Sequence, residues 1–525
     1  MRWFGPLSAA AVLAAAGVTM AVSSSPARPA PPLAPPTPCT AGDTLVDPPT
    51  IARGSNGILK TQLTMAPAAV TVGSITAQGN LYNGLYTPPT LLLNPGDSVD
   101  MNVTNQMVDS TNHHYHGFVV TPDTLHGDNV TRVKIRQGST HRYAFRLPAD
   151  HAQGLAWYHP HYHGLTDAQV GSGLSGAMVV GNLAAQFPGL NIKRERVMLI
   201  KDLNTKGTYS INGNPCPTIK IAAGEQQLWR LLNATAEDFL NLRLANHKLH
   251  VLALDGNPVV HPLTVDSLII PPGSRAEVVV VGNAQDAVGS HLYSTNASAD
   301  PDFASVSLGW AKAGGTPVIP TPIPTTVNTA LRDSMKALMN TTDVQRQTIN
   351  YWTDGGDEYW FGPDSVFANN QYSPSRIDYR MQVGKAQEWT LVNKGSELHS
   401  FHIHQTDFIV TSYNGKAPTD TTFRDNVFVG RHYANGKWLP DTVTVRFRFT
   451  PVAAGPFVFH CHQLFHEDAG MMRNVCVYPQ GKDSTWCNQW FPATGGAMHH
   501  AARPAERRGQ PGGVATSALV AAHRH

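Results

Sequence analysis

Four short histidine clusters carry the chemistry of this chain. They are His113-His114-Tyr115-His116-Gly117, Trp157-Tyr158-His159-Pro160-His161-Tyr162-His163-Gly164, His399-Ser400-Phe401-His402-Ile403-His404, and His460-Cys461-His462 followed by His466 and Met471. In a strand successive side chains alternate, so His-x-His places two imidazoles on one face about two residue rises apart, able to serve one metal or two neighbours. A single His-x-His arises easily by chance; clusters at both ends of one chain do not. The fourth cluster combines a thiolate, imidazoles and a thioether, the ligand set of a blue-copper electron-transfer centre. Cys461 and His466 are close enough to share an ion, Met471 can approach axially, and His399 can complete the set. The alternative for a buried cysteine is inert packing, which leaves the flanking histidines unexplained.

On a strand, His460 and His462 face away from the Cys461 side chain. They cannot join its metal, but they can reach metals on the opposite side, so one tripeptide would join two metal sites. Setting the blue-copper ligands aside leaves His114, His116, His159, His161, His402, His404, His460 and His462. These divide as two, three and three, enough for three coppers. Half precede residue 165 and half follow residue 400, so this second centre should lie between the first and last domains.

The elements that must position these residues are strands. Among 525 residues, 45 are Gly and 39 Pro while only 14% are charged, which favours a turn-rich β protein. The length suits about three domains. An internal repeat agrees: Gly96 to Asn105, Gly224 to Asn233 and Gly384 to Asn393 each span nine residues and read as a tight glycine turn followed by a strand. A second echo pairs Ile135-Arg-Gln-Gly138-Ser139 with Ile270-Pro-Pro-Gly273-Ser274. The expected organisation is a signal peptide at 1–23, a Pro-rich leader at 24–48, a first domain at 49–190, a second at 191–315, a Pro-rich linker at 316–326, a third domain at 327–493 and a disordered His-containing tail at 494–525. The second domain has no His-x-His and reads as a spacer without copper. Helix should be sparse, with Asn328–Met339 the best candidate.

A net charge of +2 argues against a nucleic-acid partner held by phosphate contacts. Met1-Arg2, an apolar stretch from Leu7 to Val22 and a cleavage site near Ser23 imply export, to the periplasm or beyond, with no later membrane span. Five cysteines leave one over in an oxidising compartment. Cys461 is the odd one; the other four allow three pairings, of which Cys39–Cys216 with Cys476–Cys487 is our expectation.

With these motifs in hand, the chain resembles the multicopper oxidases, specifically three-domain bacterial laccase-like proteins, from about residue 50 to 490. The resemblance rests on His-Tyr-His-Gly, Trp-Tyr-His-Pro-His, His-x-x-His-x-His, His-Cys-His-x3-His-x4-Met and Gly173-Leu-Ser-Gly-Ala-Met178. It implies an all-β fold of three cupredoxin-like Greek-key β-sandwich domains and four copper ions per chain. The type 1 copper would take His399, Cys461 and His466 with Met471 axial. Type 2 would take His114 and His402; one type 3 copper His116, His159 and His462; the other His161, His404 and His460. His113 and His163 lie beside ligands but outside the pattern. The implied reaction takes electrons singly from a small phenolic or aromatic amine substrate and reduces dioxygen to water. Proton supply nominates Glu467, where family members carry an acid, and Asp128; the alternative for each is an ordinary solvated carboxylate. A metallo-oxidase acting on Cu(I) is the competing reading, disfavoured by the lack of a methionine-rich run among 13 methionines. A copper nitrite reductase or a non-catalytic copper-binding protein is further away, and a monomer is expected.

Overall fold

The computed structural model describes residues 34–203, 208–296, 303–418, 422–434 and 437–491. The expected signal peptide and tail lie outside the described residues, as does the leader up to residue 33.

Six sheets form three face-to-face pairs along the chain, with a small hairpin, Arg431–Ala434 against Lys437–Pro440, beside the third. The same strand pattern occurs three times. In the first copy Ile58–Val72 runs parallel to Ser98–Asn105, which pairs antiparallel with Thr140–Arg146. In the second, Ile192–Asp202, Gln226–Asn233 and Arg275–Val281 repeat that order. In the third, Val344–Thr353, Ala386–Asn393 and Thr442–Arg448 do so again. The chain is thus an all-β protein of three cupredoxin-like sandwiches. Each holds its own apolar core, centred on Trp229 in the second and Trp389 in the third.

The nine-residue glycine-to-asparagine spacing has a physical cause. Gly96, Gly224 and Gly384 have φ of +82°, +79° and +81°, the left-handed turn that glycine enters without penalty. At the far end of each strand the asparagine side chain ties down the loop that follows. Asn105 Nδ2 donates to the carbonyls of Asp109 and Ile135, Asn233 Nδ2 to those of Asp238 and Ile270, and Asn393 Nδ2 to those of Glu397 and Val429. In the outer copies that anchored loop leads directly into the strands His114–His116 and His399–Ile403. The middle copy leads into Leu240–Leu244, apolar apart from Asn241 and Arg243.

The expected helix forms at Thr329–Met339, capped by Asn328, whose side chain accepts from the Leu331 N–H. The free cysteine is Cys461, and the two bridges are Cys39–Cys216 and Cys476–Cys487. The later part of the segment assigned to a leader is attached to the second sandwich. Leu45 belongs to its core, and Leu45 and Thr218 are hydrogen-bonded through their backbones.

Candidate metal centres

Two strand pairs place the histidines. His114–His116 lies antiparallel to Leu155–His159, with His114 opposite His159. His399–Ile403 lies antiparallel to Gly455–His460, with His402 opposite His460. These two edges, one from each outer sandwich, meet: the rings of His116 and His402 stack at 3.8 Å and those of His114 and His404 at 4.0 Å. The result is a buried nest of eight imidazoles, four from each outer sandwich.

Within it, three groups bring ligand atoms within 4.8 Å of one another: His116, His159 and His462; His161, His404 and His460; and His114, His116 and His402. A fourth group, His399, Cys461 and His466, lies inside the third sandwich. Residues 460–462, at and just past the end of the strand Gly455–His460, therefore serve three groups. The Cys461 sulfur is 3.7 Å from Nδ1 of both His399 and His466, and those two nitrogens are 3.2 Å apart. His466 returns on the short helix Leu464–Asp468. Met471, fully buried in the same core cluster as Cys461, accepts the Cys461 N–H at its carbonyl, 3.0 Å away.

The donor atoms fit a soft or borderline cation. Imidazole nitrogens face one another at 3.0 Å (His161 Nε2 and His460 Nε2), 3.2 Å (His404 Nε2 and His460 Nε2) and 3.2 Å (His116 Nδ1 and His462 Nε2). At His460 the opposite nitrogen already uses the ring proton, so its Nε2 meets His161 and His404 with a bare lone pair. His159 Nδ1 donates to the Pro160 carbonyl, His402 Nδ1 to that of Asp425 and His460 Nδ1 to that of Cys461; a carbonyl can only accept. Bare lone pairs thus point inward, and Nε2 of His114, His159 and His402 is buried without any partner. Fixing the tautomer from behind is how ligating histidines are oriented.

Electrostatics agree. Burial, followed by neighbouring positive groups, holds His116, His159, His161, His402, His404 and His462 well below the ordinary imidazole range. Burial takes His460 down to about 3. They are neutral and free to ligate. His466 moves up to about 9: burial lowers it, but the Cys461 sulfur and the Glu397 carboxylate outweigh that. A cation bound between His466 and the sulfur would take over that positive charge.

Both nominated carboxylates are fully buried, so neither is a solvated surface group. Asp128 receives His114 Nδ1 at 3.0 Å and Gln405 Nε2 at 3.1 Å. Glu467 sits 3.4 Å from His161 Nδ1 and 3.2 Å from His460 Nδ1, and accepts the Thr166 hydroxyl at 2.9 Å. Burial, then Asp468, pushes its carboxyl well up. His113 stands outside all four groups, its Nδ1 3.0 Å from the Tyr82 hydroxyl. His163 also stands outside them and packs edge-on against Tyr372.

Four supporting residues escaped the sequence reading. Glu397 lies 3.2 Å from His466 Nε2, and Tyr359 stacks on the same ring at 3.9 Å. Asp425 lies 3.1 Å from His116 Nε2 and is paired with Arg275. The place of Glu397, two residues before His399, was the available signal; Arg275 and Asp425 offered none. A cleft lined by Gly117, Phe118, Thr406 and Asp407 reaches His114, His402 and His404, and another, past Val130, Arg132 and Tyr372, reaches His161.

Models of the multicopper oxidase family match residues 64–184, 156–307 and 339–481. The chain belongs to the multicopper oxidase family. The oxidase is 27% identical to a multicopper oxidase of Staphylococcus haemolyticus, across 75% of this chain and 83% of that one. It is 24% identical to Laccase-2 of Podospora anserina, across 76% and 75%. Its fold is similar to that of a solved multicopper oxidase of Campylobacter jejuni described as a metallo-oxidase, with TM-score 0.68, 23% identity and coverage of 84% and 96%. It is accordingly a copper-binding oxidoreductase with oxygen as acceptor. Among the described residues no helix is long and apolar enough to cross a membrane.

Proposed function

We propose that this oxidase is laccase-like, withdrawing single electrons from small phenols or aromatic amines and reducing dioxygen to water. Type 1 copper would be held by His399, Cys461 and His466, with the Met471 thioether as a further ligand, and type 2 by His114 and His402. One type 3 copper goes to His116, His159 and His462, and the other to His161, His404 and His460, making four per chain. The observation that carries this is the tripeptide 460–462, which contributes to three groups at once.

Copper at these places supplies one-electron redox change at the cysteine site and four-electron reduction of dioxygen at the nest. The chain does the rest. Cys461 and its peptide neighbours give the two centres a covalent connection. The outer edge of His466, beside the part-exposed Glu397, is where a donor molecule can approach. Glu467, in contact with two ligand histidines and Thr166, holds the proton nearest the nest, and Asp128 fixes His114 from behind. The two clefts are narrow passages suited to dioxygen and water.

Packing supports an organic substrate over Cu(I). Of the methionines in the described residues, Met339 at 40% exposure is the one on the surface, so no cluster of soft thioethers is offered to a cuprous ion. All ligand atoms come from one chain, so a monomer suffices. The signal at 1–23 and the two disulfides fit export to an oxidising compartment, and the sandwiches fit domains at 49–190, 191–315 and 327–493. Dioxygen uptake measured with a phenol and with Cu(I) separates the readings: faster uptake with the phenol is expected, and uptake with Cu(I) alone would replace the laccase reading by the metallo-oxidase one.

A further inference from the structure

We propose that Arg275 is a positioning residue for the histidine nest, tying the first-sandwich strand that ends in His159 to the third-sandwich carboxylate that receives His116. The middle sandwich then acts as a template for a site to which it gives no ligand. This inference rests on the nest assignment made above.

Arg275 is wholly buried at the meeting of the three sandwiches, and its donors reach all three. Nε donates to the Leu155 carbonyl at 3.1 Å, on the strand Leu155–His159. Nη1 and Nη2 donate to the two carboxylate oxygens of Asp425, each at 2.7 Å. Nη2 also donates to the Asp255 carbonyl of its own sandwich at 3.0 Å. Asp425 in turn holds a histidine from each outer sandwich: its Oδ1 receives His116 Nε2 at 3.1 Å and its backbone carbonyl receives His402 Nδ1 at 2.8 Å.

Stability alone does not account for this arrangement. A buried ion pair is weak evidence for stability, since apolar residues of equal volume often do as well. An apolar pair could not keep the proton of His116 on Nε2 and so leave Nδ1 bare toward His462. The two-pronged guanidinium fixes both carboxylate oxygens of Asp425 at once, which a single-point donor cannot do. The same strand braces Leu155 a second time, through Glu277 Oε2, which accepts the Leu155 N–H at 2.8 Å.

The test uses the full copper-loaded chain and its Arg275→Met and Arg275→Lys variants. Copper retained per chain is followed against a competing chelator, alongside the blue absorbance, which reports only on Cys461 and its partners. In Arg275→Met the nest coppers should leave at roughly 10–100-fold lower chelator concentration, with the midpoint of the blue band unmoved. Arg275→Lys, keeping the charge but not the fork, should fall between this variant and wild type. Should Arg275→Met not develop colour, Arg275→Lys decides alone: a nest midpoint about threefold or more below wild type with an unmoved blue midpoint supports the proposal. Nest midpoints equal to wild type, or nest and blue midpoints falling together, overturn it. A colourless or nest-free wild type would instead count against the ligand assignment itself.

Discussion

Gly273, in the second sandwich, lies against the His462 ring of the nest. A Cβ built there lies 2.6 Å from both Cε1 and Nε2 of the His462 ring and 2.7 Å from Cδ2. Ordinary contact begins at 3.4 Å, so the ring or the loop must yield by about 0.8 Å (3.4 − 2.6). That is about four times the ~0.2 Å tolerance of a metal–ligand distance. The backbone φ of +80° adds a penalty of roughly 1–2 kcal/mol for any L side chain, and overpacking about 1–3 kcal/mol more. Gly273→Ala should therefore lose about one copper per chain and at least tenfold in dioxygen turnover (roughly, by the usual effect of displaced metal support), while keeping its blue band. Gly138 is the matched control. It occupies the echo position in the first sandwich with φ +74°, and a Cβ there meets nothing within 4 Å. Gly138→Ala carries the conformational penalty alone and should keep full copper. Equal copper and turnover in Gly273→Ala and wild type, or equal losses in both variants, would refute the steric argument.

Glu467→Gln keeps the shape but removes the transferable proton; dioxygen reduction should slow by roughly a hundredfold, while bleaching of the blue band by a phenol stays fast. Unchanged turnover would remove Glu467 from the mechanism. Met471→Leu should raise the type 1 potential above a low-to-moderate wild-type value in a redox titration, because an axial thioether favours the oxidised ion; a fall, or a wild-type potential at the high end for laccases, would contradict the axial role. Lys201 is fully buried, donates to the carbonyls of Tyr86 and Gly173, and is lowered by burial to about 7 from 10.5. Between those values the unfolded chain binds a proton that the folded chain does not, so stability rises with pH across that window. Lys201→Met should flatten the rise in melting temperature between pH 7 and 10; an unchanged slope would show that the ammonium stays charged in the fold.

Much of the site was legible because strand alternation is a strict rule. The opposite sides taken by Cys461 and its two histidine neighbours were anticipated from it, although the strand itself ends at His460. The triplicate sandwich was legible from three glycine turns and three loop-anchoring asparagines. What could not be read depends on contacts between distant segments. Arg275 and Asp425 are 150 residues apart, and each alone is an ordinary charged residue. The echo Ile270-Pro-Pro-Gly273-Ser274 was visible as a repeat, but not that its glycine lies against an imidazole of another sandwich. Burial of Asp128 was equally hidden, since its neighbours His114 and Gln405 come from different sandwiches.

The central claim is that one sulfur and its two adjoining imidazoles connect a donor site to an oxygen site. Its most direct test is the copper content and visible spectrum of the purified oxidase beside Cys461→Ser. Wild type should carry about four coppers and an intense blue thiolate band. Cys461→Ser should carry about three, lack the band and consume oxygen at least a hundredfold more slowly (roughly, for loss of the electron-transfer ligand). A colourless wild type, or Cys461→Ser turning over at the wild-type rate, would contradict it.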